Sequence, residues 1–314
     1  MSKIWAIAFN TFKEAVRNRI LYILLVFALL IMASSGIVGE LTISARERII
    51  TDLGITSINF FGLLIAIFVG IGLVYNELDK KTIYTIVTKP IDRHQFLIGK
   101  YLGLLLTIYI NILIMVFFFL AVIYYQGYMD FDVMSKALWV EQANGEWTSP
   151  TAISYFMYYA KAIVFSLTKA FGTLTLLYHS PLTQGILLVV FYGCLELAII
   201  TGFAILYSSF STPTLSAMLT VLTFIIGRLN ADIIVFADRM KEKGFETSTQ
   251  KMKYIFAWIA AHVTPNLWLF NRRTSLSVDK VEIRLEVYPV LYGILYSAAI
   301  LYLAVHIFRK RNFK

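Results

Sequence analysis

Six long apolar runs constrain this chain more than any other feature of its 314 residues. They are Ile20–Val38, Ile58–Tyr75, Tyr101–Tyr125, Gly185–Tyr207, Thr214–Phe236 and Val287–Phe308. A helix of about 20 mostly apolar residues crosses the roughly 30 Å hydrocarbon core of a bilayer. Lipid offers backbone N–H and C=O groups no partner, so a crossing segment must satisfy them within a helix or a closed barrel. The runs lack the apolar–polar alternation of barrel strands, and they predict helices. The fold class that follows is an all-α membrane protein with about six transmembrane helices in one domain over 1–314. Composition agrees, with 59% hydrophobic and 15% charged residues, against about 45–50% and about 25% in soluble domains.

Several function classes drop out. The net charge of +9 would suit nucleic acid, but the basic residues flank apolar runs, where they meet lipid headgroups and fix orientation. The partner implied there is membrane lipid, not nucleic acid. Cys194 is the single cysteine, which excludes an internal disulfide framework. His94, His179, His262 and His306 are scattered without metal-ligand spacing, so no metal site is expected. No Ser-His-Asp order or paired carboxylates suggest catalysis. No Gly-x-x-x-x-Gly-Lys-[Ser/Thr] phosphate loop is present; Gly99-Lys100 follows no glycine-rich turn and precedes Tyr101. Ala33-Ser34-Ser35-Gly36 resembles a cleavage site, but the run is longer than a signal-peptide core and five more follow, so an uncleaved first span is expected.

Positive charge sets the predicted orientation. Lys3, Lys13, Arg17 and Arg19 precede the first span, and Lys80, Lys81, Lys89, Arg93 and Lys100 lie between the second and third. Arg309, Lys310, Arg311 and Lys314 close the chain, whereas only Arg46 and Arg48 follow the first span. The positive-inside rule places both termini and the 76–100 connection in the cytoplasm. The segments 126–184 and 237–286 then lie outside. Ser149-Pro150 reads as a helix start, and Ile153, Phe156, Ala160, Ile163 and Leu167 recur at helical spacing to about Tyr178, interrupted by Lys161 and Lys169. This predicts an amphipathic or re-entrant outer helix, with a seventh span as the alternative. Tyr254–Phe270, broken by Pro265, reads as a short membrane-dipping helix. No internal repeat is visible.

Two stretches point to mechanism. In 1–19, Trp5, Ala8, Phe9, Phe12, Ala15 and Val16 share one face, with Lys3, Lys13, Glu14 and Arg17 elsewhere. This predicts a basic amphipathic helix in the cytoplasmic interface. In 76–100, Leu78, Ile83, Ile86 and Val87 form an apolar face, Pro90 forces a turn, and Asp92 with Gln95 caps the next helix. The result is a helix–turn–helix elbow, which serves either as a plain connector or as a contact for a partner.

This elbow resembles the cytoplasmic signature of ABC-2 type permeases. Glu77 follows the second span, a Thr-hydrophobic segment comes next, and Pro90-Ile91-Asp92-Arg93 precedes Gly99-Lys100 at the third. The turn Tyr207-Ser208-Ser209-Phe210-Ser211-Thr212-Pro213, Thr264-Pro265-Asn266-Leu267, the interfacial N-terminal helix and Phe308-Arg309-Lys310-Arg311-Asn312-Phe313 are similar to the family in order and spacing. The outer segment from about Gln126 to Gln184 is longer than a plain six-span permease requires. The resemblance implies an export permease that pairs with a second permease subunit, as a homo- or heterodimer, above two ABC ATPase subunits. It implies that the partner subunits bind ATP and that this chain holds no cofactor. Glu77, Leu78, Thr82, Ile83, Tyr84, Ile86, Pro90 and Arg93 would then contact the ATPase.

Inside the spans, Glu196 stands near the middle of the fourth run. A carboxylate at that depth faces the bundle interior or a wet cavity. It marks a substrate site, proton site or gate, or a polar tie between helices. Arg228 and Asp232, four residues apart on one helix face, either pair or mark the water boundary. The rival classes are a secondary transporter or channel, which favours repeated halves and broken spans, a membrane enzyme, and a non-transporting scaffold subunit.

Overall fold

A computed structural model of the chain describes residues 3–40, 46–79, 92–128, 140–141, 147–148, 181–242, 244, 247–271 and 285–310. These hold nine α-helices: α1 Lys3–Val16, α2 Arg19–Glu40, α3 Arg46–Asp79, α4 Arg93–Tyr128, α5 Pro181–Ser208, α6 Pro213–Arg228, α7 Asn230–Glu242, α8 Ser248–Val263 and α9 Val287–Lys310. A 3-10 turn, Leu267–Phe270, lies between α8 and α9, and Val140–Glu141 pairs antiparallel with Trp147–Thr148. Among the described residues, α2, α3, α4, α5 and α9 are long and apolar enough to cross a membrane, and α6 with α7 makes a sixth if the bent pair is one span. The expected all-α membrane fold with about six spans therefore holds.

The interior lies around α3 and α5. Ile58, Ile65, Ala66 and Ile67 on α3 meet Leu104, Ile108 and Met115 on α4 and Tyr192, Ile199, Phe203 and Ala204 on α5 in one apolar cluster. Apolar burial has no hydrophobic drive between helices in lipid, so close packing and polar ties decide which helices are neighbours. Both are present. Tyr101 and Tyr109 of α4 donate to the Ala198 and Cys194 carbonyls of α5 at 3.1 and 3.3 Å. Gly193 lets Asn59 approach so closely that a Cβ there would sit 2.5 Å from the amide oxygen. The outer helices expose apolar side chains instead: Ile23, Val26, Phe27 and Leu30 on α2, and Leu291, Ile294, Leu295 and Tyr302 on α9. Lipid tails suit such surfaces.

Three elements refine the expectations. The second span does not start at Ile58. Its helix extends back to Arg46, because Ile50, Ile55 and Ile58 continue the buried stripe through the charged turn. Arg48 and Asp52 meet on its exposed side at 3.9 Å, a pair that adds little in solvent.

On the N-terminal helix, the apolar face of Trp5, Ala8, Phe9, Phe12, Ala15 and Val16 divides between buried and exposed side chains. Ala8, Thr11 and Ala15 are buried, whereas Trp5 and Phe9 are exposed. The small side chains pack against α4, and the rings turn outward. At Gly103 a Cβ would meet the Ala8 carbonyl oxygen at 2.5 Å, and at Gly99 it would meet Ile7 at 2.7 Å. The bulky rings cannot occupy a contact that tight.

The run expected as the fifth span is bent. The axes of α6 and α7 differ by 61° across Leu229. Neither proline nor left-handed glycine marks the break, so tertiary contacts impose it. Gly227 admits the Pro265 carbonyl oxygen, which a Cβ would meet at 2.8 Å. Buried Asn230 donates its side-chain amide to the Ala261 carbonyl at 2.7 Å and to the Thr264 hydroxyl oxygen at 3.4 Å. Ala261 is in the last turn of α8, whose carbonyls lack helical partners. The bend thus caps α8 from a neighbouring element. Asn230→Ala should destabilise the protein by about 1–3 kcal/mol, the cost of a buried carbonyl left unsatisfied. Faster amide exchange in α8 than in α4 would report the loss.

The helix expected over Tyr254–Phe270, broken at Pro265, is present as the end of α8, Pro265 and the 3-10 turn. The Tyr292 hydroxyl accepts the Asn266 N–H at 2.9 Å and so ties this element to α9. The segment expected as an amphipathic helix from Ser149 to Tyr178 lies outside the described residues.

Candidate functional site

Two places in the fold carry the polar residues singled out above. At the elbow, α3 and α4 run antiparallel and pack together. Glu77 and Leu78 fall in the last turn of α3, and Arg93 opens α4. Thr82, Ile83, Tyr84, Ile86 and Pro90 lie outside the described residues.

The base of α4, next to the elbow, is fixed from two sides. Lys100 is almost fully buried, its side chain 2% exposed, and its Nζ lies 3.3 Å from Glu14 Oε2 of α1. The same ammonium sits 5.9 Å from the Phe96 ring centroid. Across the helix, Phe96 stacks on Phe308 of α9 at 6.3 Å. A buried lysine needs such a partner, because desolvation opposes its charge. Glu14 and Lys100 are 86 residues apart, and no local spacing links them.

The second place is inside the bundle. Arg228 Nη2 donates to Glu196 Oε2 at 2.8 Å. The glutamate side chain is 4% exposed and the arginine 21%. Glu196 is therefore a polar tie between α5 and α6, as one of the two sequence readings held. One sequence reading paired Arg228 with Asp232, on the assumption of one continuous helix. The break at Leu229 puts exposed Asp232 on α7 and turns Arg228 inward. Arg228 also lies over the Phe224 ring at 5.7 Å.

This ion pair lines a cavity of about 310 Å³ between α3, α5 and α6. Asn59 and Phe60 of α3 and Asn271, just past the 3-10 turn, are among the other residues that line it. Asn59, Phe60 and Asn271 were not singled out in the sequence. Asn59 interrupts an apolar run and was the one available signal; the other two have none. Among the described residues no cluster of three or more His, Cys, Asp or Glu could hold a metal.

The family model described as ABC-2 family transporter protein matches residues 15–178, more than half of the chain. This chain belongs to the ABC-2 transporter family. A comparison with curated proteins gives no match. The matched part of this ABC-2 protein holds α2, α3, the elbow and α4. Glu196 and Arg228 lie beyond it. Family membership and the apolar helices together make this a multi-pass membrane transport protein of a class that works with ABC ATPase subunits.

Proposed function

We propose that this chain is the permease subunit of an ATP-driven exporter, forming the substrate path with a second permease subunit, homo- or heterodimeric. Separate ATPase subunits bind the ATP and dock on the elbow through Glu77, Leu78, Thr82, Ile83, Tyr84, Ile86, Pro90 and Arg93. Both termini and the elbow face the cytoplasm, where positive charge is retained. One observation chiefly supports the reading. The helices that end at the elbow are the two longest among the described residues, with 34 and 36 residues, against about 20 needed to cross a membrane. They pack on each other, and the base of one is clamped to α1. A push on the elbow therefore reaches the interior without passing through a loose joint.

Tagged chain purified from its native membranes should carry a soluble ATPase with it. Glu77→Lys or Arg93→Glu should weaken that association roughly tenfold, about 1.4 kcal/mol, while the permease stays monodisperse. Transport-active chain with no ATPase attached, or charge reversals without effect on ATP hydrolysis, would overturn the proposal.

A further inference from the structure

The hairpin of α7 and α8 has an apolar base and a polar tip. The two helices pack on each other and touch α6 and the 3-10 turn. Between them Gly244 takes a φ of 72°. On α7, Ile234, Val235 and Phe236 are consecutive and exposed by 36%, 48% and 52%. Successive side chains on a helix point about 100° apart, so these three face three directions. On α8, Ile255, Phe256, Trp258, Ile259 and Val263 are exposed as well. Toward the tip, charge takes over: Asp238, Arg239, Lys241 and Glu242 on α7, and Lys251 and Lys253 on α8, are exposed.

The change falls at the same height on both helices. The polar part is Asp238–Glu242 at the end of α7 and Ser248–Lys253 at the start of α8, roughly a turn and a half of each. A flat boundary between an apolar and a polar medium imposes such a match on two antiparallel helices. A protein partner covers one side of a helix, whereas a helix apolar on every outward side needs apolar surroundings on all of them. Acyl chains supply that. Tyr254, at the boundary, and Trp258, one turn below it, are the residue types that anchor at membrane interfaces. Lysine and arginine above the boundary can lay their stems on the apolar part and reach phosphates with their charge. The exceptions are few. Met252 is exposed in the polar part. His262, exposed in the apolar part, stacks on Trp258 at 4.2 Å, with Nδ1 2.8 Å from the Trp258 carbonyl oxygen. Asp232 lies in the first turn of α7, where a helix N-terminus stabilises a carboxylate. The apolar part of α8, Ile255–Val263, rises about 14 Å, and half the hydrocarbon core is about 15 Å. The hairpin therefore reaches no further than one leaflet.

We infer that the α7–α8 hairpin is a lipid-binding arm embedded in a single leaflet, with its base among acyl chains and its tip among phospholipid headgroups. The placement requires neither ATP nor an ATPase subunit. Its failure would leave the proposed function intact, and failure of that function would leave the arm intact.

The test reconstitutes the full chain, in a Cys194→Ser background, into phosphatidylcholine vesicles. Phe256→Cys and Thr249→Cys, one in each part of α8 and both at exposed positions, each carry a bimane fluorophore. Phosphatidylcholine brominated on its acyl chains should quench the label at 256 several-fold more than the label at 249. Phosphatidylcholine with a nitroxide on its headgroup should do the reverse, and iodide in the buffer should reach 249 and spare 256. Phe236→Cys, on the other helix and 52% exposed, should behave as 256 does, which guards against a local effect of one label. Equal iodide quenching at 249 and 256 would put the base in water and overturn the inference. A label at 256 shielded from both iodide and brominated lipid would put protein there, from this chain or a second copy, and would overturn it too. So would a label at 249 that the headgroup nitroxide leaves unquenched.

Discussion

Arg228→Gln should be among the most damaging single changes to this protein, lowering its stability by about 3–5 kcal/mol. The variant leaves Glu196, 4% exposed, with a neutral neighbour in place of a guanidinium 2.8 Å away. Removing one member of a buried pair costs more than the pair itself contributes, because the survivor stays desolvated. Glu196→Gln should cost less, since Arg228 is 21% exposed. The double variant Glu196→Gln/Arg228→Gln should be less destabilised than the sum of the two. A denaturant titration of the four proteins gives the coupling directly. Additive effects within about 0.5 kcal/mol would mean that the contact holds nothing together.

The second large effect is expected at Gly103→Leu. A Cβ at this position would stand 2.5 Å from the Ala8 carbonyl oxygen and 2.6 Å from Thr11 Cβ. The first is backbone, so only a shift of all of α1 relieves the clash. Overpacking of this kind costs about 1–3 kcal/mol where neighbours can adjust; here the cheaper response is release of α1. The Lys100–Glu14 contact at 3.3 Å would part with it. Thr11 is fully buried in the parent protein. A Thr11→Cys reporter in a Cys194→Ser background should resist thiol labelling while Gly103 is retained, and should react readily once Gly103→Leu is added. Equal labelling of the two would show that α1 is not held by this contact.

Most of the membrane architecture was legible because lipid thickness acts on chain length alone. Any run of the right length and polarity declares itself, and five of the six runs lie in single helices long and apolar enough to cross a membrane. The sixth misled because the cause of its break is remote. Gly227 and Asn230 answer to Pro265, Ala261 and Thr264, more than 30 residues on, and no local pattern marks such a bend. The same break puts Arg228 and Asp232, which one reading paired, on different helices. Glu196 stood out because a carboxylate in an apolar run is costly, yet cost alone does not name a partner. On α1, hydrophobicity marked a face for the membrane interface but did not show which part of it packs on α4. That contact uses small side chains, since Gly103 closes on Ala8 and Thr11.

The length of α3 has a mechanical consequence. Its 34 residues make a rod about 51 Å long at 1.5 Å per residue. The hydrocarbon core is about 30 Å thick, so the rod overhangs it. Rocking by about 10° about the middle of such a rod would carry each tip about 4 Å, in opposite directions. Asn59 and Phe60, which line the cavity, lie near the centre of the rod, where the same rocking produces almost no travel. In a rigid α3, the cavity wall therefore sits at the fulcrum while both ends swing.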